Sequence, residues 1–371
     1  MRRFSMGFTS AERSEVVVLV CRQMEPLPVG ANLGFVYATD YYADDLDLLV
    51  AELRGRTGIP HWVGTIGLGL TAGGEEYFDV PALAVLVGAF PRDAFRVFAT
   101  GTSSIGAVTR AHGAWYGCGA RYLAVTHGDP NNPHTPELIR ALVDELPGGF
   151  CVGGVASSRR ACVHIADSSV HGALSGVLFD ERVPIYTGLT QGCVPIGPLR
   201  RITGCDRNII QTLDDRPALD VLRTDIGELL ARNLGSITGY IFVGLSIPGK
   251  DTGDYTVRNL LAVDRKHGGL AIGGWPQSGQ SLLFCRRDAN GARDSMEKML
   301  IGLKRRLPRP AEAALYFSCL GRGRRMFGES GVEQALIRHH LGDIPLIGFY
   351  ANGEISHNEV YGYTGVISVF L

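Results

Sequence analysis

Cys319 and Arg322 stand three residues apart in the run Phe317-Ser318-Cys319-Leu320-Gly321-Arg322-Gly323-Arg324-Arg325. A guanidinium beside a thiol favours the thiolate, so this spacing offers a reactive or metal-binding cysteine. The alternative is a small buried hydrophobe closing a strand. Arg258-Asn259, with Asp264 further along, offers a grip for a carboxylate, since arginine holds that group through two parallel hydrogen bonds. The alternative there is an Arg–Asp pair internal to the fold. Glu354, in Asn352-Gly353-Glu354, can accept an ammonium group or exchange a proton, whereas Asn-Gly commonly makes a tight turn. Tyr361 belongs to the same final hairpin. Gln191 and Cys193 lie in a stretch rich in glycine and proline, and Cys193 would need a neighbouring base to act as a nucleophile. The candidate ligand-binding set is therefore Gln191, Cys193, Arg258, Asn259, Cys319, Arg322, Asn352, Glu354 and Tyr361. No catalytic residue is assigned, and a cysteine-dependent enzyme stays an alternative.

Three stretches must position these residues, and they read alike: Asn32–Phe90, Arg121–Phe179 and Ala313–Leu371. Each runs apolar strand, polar loop, amphipathic helix, short apolar strand with a glycine, turn, apolar strand. Self-similarity of this kind fixes architecture, and the irregular spacing points to duplicated lobes, not a solenoid. The fold class expected is α/β (mixed α+β), with two related lobes built from strand–helix–strand–hairpin units and helices packed on mixed sheets. The boundaries expected are an entry segment over 1–30, one domain over 31–222 and another over 223–371. Val16–Val20 reads as a strand from its valines. Helices are expected in Ser103–Tyr116, ending near Gly117-Cys118-Gly119, and in Arg216–Asn233 and Ala289–Arg306. Loops after the first strand of each repeat (Thr39-Asp40, His127-Gly128-Asp129 and Ser318–Gly323) are the expected pocket walls, because ligands favour the crevice outside strand carboxyl ends.

The 371 residues exceed one ordinary core. A formal net charge of −1 removes the electrostatic case for nucleic acid or an anionic membrane. No apolar run reaches bilayer length, and Arg2-Arg3 are not followed by an apolar signal-peptide region, so the cytoplasm is the expected location. The eight cysteines are scattered without a Cys-x-x-Cys pair, which fits reduced thiols and argues against a local zinc site. Gly67-Leu68-Gly69 and Gly321-Arg322-Gly323 do not extend to a dinucleotide fingerprint.

Gln191-Gly192-Cys193-x-Pro195-x-Gly197, Arg258-Asn259-Leu260-Leu261-x-Val263-Asp264, Phe317–Gly323 and Gly348-Phe349-x-x-x-Gly353-Glu354-Ile355 occur in order. With Pro81–Leu86 and Val152–Ser157 they make the chain resemble the FIST family, covering FIST-N and FIST-C from about residue 30 to the C-terminus. The resemblance implies a sensory domain that binds an amino acid or similar small molecule between lobes and signals through a separate protein, such as a histidine kinase. One branch of the family resembles haem-binding nitric-oxide sensors, which makes haem a possible cofactor and the gas sensor an alternative. An axial ligand would then come from His61, His127, His164, His171 or His357. Relatives in the family often read Gly-Glu-Ile-Gly-Pro and then His-Gly-Tyr-Thr; here Ser356-His357-Asn358 follows Ile355, and Tyr361 precedes Gly362-Tyr363-Thr364.

Overall fold

Leu33, Phe35 and Tyr37 alternate along one strand with Val36 and Ala38, and the two sets enter different cores. That period of two is what a strand covered on both faces requires. The computed structural model describes residues 2–116, 121–227, 239–247 and 255–371. Its contacts divide the chain into two units, Met1–Thr190 with Met296–Leu371, and Gln191–Ser295.

The first unit contains three modules of one plan. The first is β1 (Phe4–Thr9), α1 (Val16–Met24), β2 (Leu33–Thr39), α2 (Leu46–Thr57), β3 (His61–Gly67), the hairpin β4 (Gly69–Ala72) and β5 (Glu75–Phe78), and β6 (Leu83–Gly88). The second is β7 (Phe95–Ala99), α3 (Gly106–Tyr116), β8 (Tyr122–Gly128), α4 (Thr135–Glu145), β9 (Phe150–Val155), the hairpin β10 (His164–Ala166) and β11 (Ser168–Val170), and β12 (Leu174–Asp180). The third opens with β13 (Ile185–Gln191), and the second unit is inserted directly after it.

That second unit holds β14 (Cys193–Pro195), β15 (Arg200–Asp206), β16 (Ile209–Leu213), β17 (Arg216–Pro217), α5 (Ala218–Ile226), β18 (Ile241–Ser246), β19 (Tyr255–Val263), β20 (Leu270–Ile272) and β21 (Ser281–Arg287). The chain then resumes the third module with α6 (Ala289–Arg306), β22 (Ala313–Cys319), the single turn α7 (Arg324–Phe327), α8 (Val332–Leu341), β23 (Leu346–Ala351), the hairpin β24 (Glu354–His357) and β25 (Glu359–Tyr361), and β26 (Thr364–Phe370).

Within each module two strands run parallel (β2 with β3, β8 with β9, β22 with β23), and a third lies antiparallel on the other side of the first. The hairpins do not complete their own sheets. β4 pairs with β23 of the third module, β10 with β3 of the first, and β24 with β9 of the second. The exchange runs round a closed circuit of three and yields three six-stranded sheets. Their inner faces share one core, including Phe35, Tyr37, Val125, Phe179, Leu315, Phe317 and Phe349. Their outer faces are covered by α1 and α2, by α3 and α4, and by α6 and α8.

Gly64, Gly153 and Gly348 occupy one position of this plan. A Cβ there would lie 1.8, 1.9 and 1.6 Å from the carbonyl oxygens of Val36, Thr126 and Tyr316. No rotamer relieves a backbone collision, so the glycine read in each short strand is a steric requirement.

Six strands of the second unit, β15-β16-β20-β19-β18-β21, close into a ring, since β21 pairs with both β15 and β18. Ile202, Leu213, Val243, Leu270 and Phe284 fill it together with Leu219 and Leu222 of α5. The repetition thus relates modules inside the first unit, and the second unit has its own plan.

Two local readings need comment. Val16–Val20 is helix, not strand: Val16, Val17, Val20 and Met24 form one stripe buried in the outer core of the first module, and that burial overrides β-branched propensity. The helix expected over Arg216–Asn233 is seen as α5; residues 228–233, like Gly117-Cys118-Gly119, lie outside the described residues.

Candidate functional site

The turn after β22 closes through Arg322 N–H donating to Cys319 O at 2.8 Å, which carries the Arg322 side chain back into the protein. Arg322 is fully buried (0% exposed), as is Glu333 on the first turn of α8. Arg322 Nε donates to Glu333 Oε1 at 2.8 Å, and its guanidinium lies 5.6 Å from the centre of the Phe327 ring. Glu333 also accepts from Tyr316 Oη at 2.6 Å, Ser318 Oγ at 2.9 Å and Gly323 N at 3.3 Å. This carboxylate is saturated. Arg322 is not: its two terminal nitrogens, Nη1 and Nη2, have no hydrogen-bond partner. Burial pulls the guanidinium's affinity for its proton down, but Glu333 outweighs it and the group stays charged. Unmet donors on a buried cation cost about 1–3 kcal/mol or more, so an acceptor is called for at those atoms.

Glu354 opens β24 and is also fully buried. Its Oε2 accepts from Thr364 N at 3.1 Å and Thr364 Oγ1 at 2.8 Å, while Oε1 has no well-formed hydrogen bond. Burial pushes this carboxyl up to about 8, with Thr364, then Arg322 and a contact from the Cys319 thiol, pulling part of the way back. Burial thus favours its neutral, protonated form. Cys319 lies beside it, and burial, then the Glu354 charge, raise the thiol above its ordinary value. The thiolate expected from Arg322 is therefore disfavoured, because burial and the Glu354 charge outweigh the pull of the guanidinium.

The half-buried rim of this cluster is Cys319, Gly321 and Tyr363. Tyr363 sits at φ +60°, an uncommon conformation for an aromatic residue. Its ring covers Gly321 so closely that a Cβ there would lie 2.8 Å from it. The architecture repeats at this position while the chemistry does not. Glu354 pairs with Gly154, directly after Gly153. The corresponding hairpin residues in the other modules are Leu70 and His164.

Of the other candidates in the first unit, Tyr361 is buried opposite Glu354 in the β24–β25 pair. Asn352 is exposed in the preceding turn, its N–H donating to Val155 O at 2.9 Å. The remaining four lie in the second unit. Gln191 donates from Nε2 to Tyr255 O at 3.4 Å, and Tyr255 Oη donates to Cys193 O at 2.9 Å. Cys193 is buried, and its thiol neighbours that of Cys285, whose pKa the contact raises. Arg258 packs against Gly274 and donates to Val257 O at 3.1 Å, and Asn259 is exposed. Asp264 does not pair with Arg258; it holds its own turn by accepting from Lys266 N and His267 N. Cys319, Arg322, Glu354 and Tyr361 are thus neighbours, and Gln191, Cys193 and Tyr255 form a separate group.

Of the histidines considered for a haem, His127 and His164 are both fully buried; His127 bonds through Nε2 to Tyr37 Oη at 3.1 Å and packs against the Tyr37 and Phe349 rings, while its Nδ1 and the Nε2 of His164 have no partner. His61, His164, His171 and His357 each bond a ring nitrogen to Asp167, Thr65, Cys162 O and Asn358. Among the described residues no group of three or more His, Cys, Asp or Glu side chains is arranged to hold a metal ion.

Sequence reading missed Glu333, which anchors the cluster. Its only mark is an acidic residue in the first turn of a helix, and that usually reports favourable interaction with the helix dipole.

Family models of the FIST N domain and the FIST C domain match residues 32–216 and 218–357. The chain belongs to the FIST domain family, whose domains are associated with signal transduction and small-ligand sensing. It is 33% identical over 354 residues to an uncharacterized protein of Mycobacterium tuberculosis, covering 91% of this chain and 90% of that protein. An uncharacterized protein of Mycobacterium bovis is 33% identical over 353 residues, covering 91% and 89%. A crystal structure of a chorismatase aligns over 100% of this chain and 99% of its own at 10% identity, with a TM-score of 0.33, too low to carry an argument. Among the described residues no helix is long and apolar enough to cross a membrane.

Proposed function

We propose that this protein is a cytoplasmic small-molecule sensor whose ligand is amino-acid-like and is held by Arg322 and Glu354. The observation that carries the reading is the pair of unmatched groups in one buried cluster: two guanidinium nitrogens without acceptors and a carboxyl oxygen without a well-formed donor. An α-amino acid supplies both complements, a carboxylate for Arg322 and an ammonium for Glu354. Binding of the ammonium ionises Glu354 and releases its proton. Tyr363 and Gly321 form the rim the ligand must pass. The response follows if the ligand prefers one arrangement of the β22 and β25–β26 turns, since a ligand shifts only an equilibrium whose states it binds unequally. The output goes to a separate signalling protein, for which a histidine kinase is the family expectation.

The packing around His127 does not favour the gas-sensor reading, and the raised Cys319 thiol does not favour cysteine-dependent catalysis. The test is thermal denaturation against the common amino acids and, for any that stabilises, its counterparts lacking the amino or the carboxyl group. The expected result is stabilisation by at least one amino acid and by neither truncated counterpart. Equal stabilisation by either counterpart, or none by any amino acid, would refute the assignment.

A further inference from the structure

Beside α8 a cleft of about 250 Å³ opens between the β4–β5 turn, β1 and that helix. One part of its wall is apolar, from Met6 and Phe8 of β1, Ile337 of α8, and Ile344 and Leu346 before and on β23; Gln334, Arg338 and Asp343 make the rest polar. Gly73 and Gly74, both at positive φ, form one side. A Cβ on the first would lie 2.0 Å from the Phe8 ring, and on the second 2.5 Å from Arg338 Nη2, so Phe8 and Arg338 pack directly over the two glycines. At the rim Arg338 and Asp343 form an exposed ion pair at 3.3 Å.

The polar feature that points to a ligand is Gln334, the residue after Glu333. It lines the cleft, is 2% exposed, and is fixed by Nε2 donating to Thr71 Oγ1 at 2.6 Å. Its Oε1 is buried without a partner. A carbonyl oxygen locked in place on a residue that lines the cleft asks for one donor, and the apolar part of the wall asks for an apolar body. We infer that this cleft is a second binding site, distinct from the Arg322 cluster, for a small neutral aromatic or aliphatic molecule that carries a single N–H or O–H donor. The apolar body lies against Phe8, Ile337 and Leu346, and the donor meets Gln334 Oε1. The inference stands whether or not an amino acid binds at Arg322.

Indole and benzofuran separate the elements of this claim, because they share a shape and differ in the donor. Binding of each to the full-length protein is followed by ligand-observed nuclear magnetic resonance, with circular dichroism confirming the fold. The expected results are saturable indole binding, at least tenfold weaker benzofuran binding, and loss of both in Ile344→Trp, which fills the cleft from its partly exposed edge. No saturable indole binding at millimolar concentration, equal affinities for the two molecules, or unchanged binding to Ile344→Trp would each overturn the site. Should Ile344→Trp unfold, chemical-shift changes confined to residues outside the cleft would do the same.

Discussion

Glu354 concentrates the chemistry of this chain. Its carboxyl is raised from the ordinary 4.5 to about 8 by burial, so between those values the folded state holds a proton that the unfolded state has lost. Stability contributed by this group is full below about pH 4.5 and falls as pH rises toward 8, with a slope approaching about 1.4 kcal/mol per pH unit. Glu354→Gln removes that titration while retaining an acceptor for Thr364. The melting temperature of the wild type relative to the variant should therefore fall from pH 5 to pH 8; parallel curves would show that Glu354 titrates normally. Glu354 and Arg322 were legible in the sequence as charged residues beside glycine-rich turns. Their burial was not, because it depends on Glu333 and Thr364 arriving from other elements. Nor was the fate of Cys319, since proximity in sequence to Arg322 does not reveal how far burial and the Glu354 charge raise the thiol.

At the scale of elements, the strand–helix–strand pattern was readable because each module repeats the same periodicities, and α6 falls where its pattern places it. Hairpin exchange was not readable, since nothing in β4, β10 or β24 says whose sheet each completes. The valines of α1 misled because a β-branched run looks like a strand until its burial stripe is known. The close approach at Gly348 gives a test of the shared plan. Gly348→Ala should destabilise by at least about 2 kcal/mol, since neither backbone can move without breaking the parallel pair. Gly55 of α2 meets nothing within 4 Å of an added Cβ, so Gly55→Ala should stabilise by about 0.5–1 kcal/mol. Urea denaturation measures both, and a neutral Gly348→Ala would mean that the strands are not packed as described.

For the whole molecule, the three modules close on themselves while the second unit enters as an insertion between β13 and α6. The chain leaves and returns at nearly one point, where Gln191 N donates to Ser295 Oγ at 3.0 Å. Replacing 191–295 by a short glycine-serine linker should leave a protein with cooperative unfolding and the circular dichroism of a mixed sheet; a molten, aggregating product would show that the circuit cannot stand alone. The most direct measurement of the central claim is calorimetric titration of the most stabilising amino acid into wild type, Arg322→Lys and Glu354→Gln. The account predicts one site per chain and at least a tenfold loss of affinity in each variant. Affinities within twofold of wild type in both folded variants would contradict it.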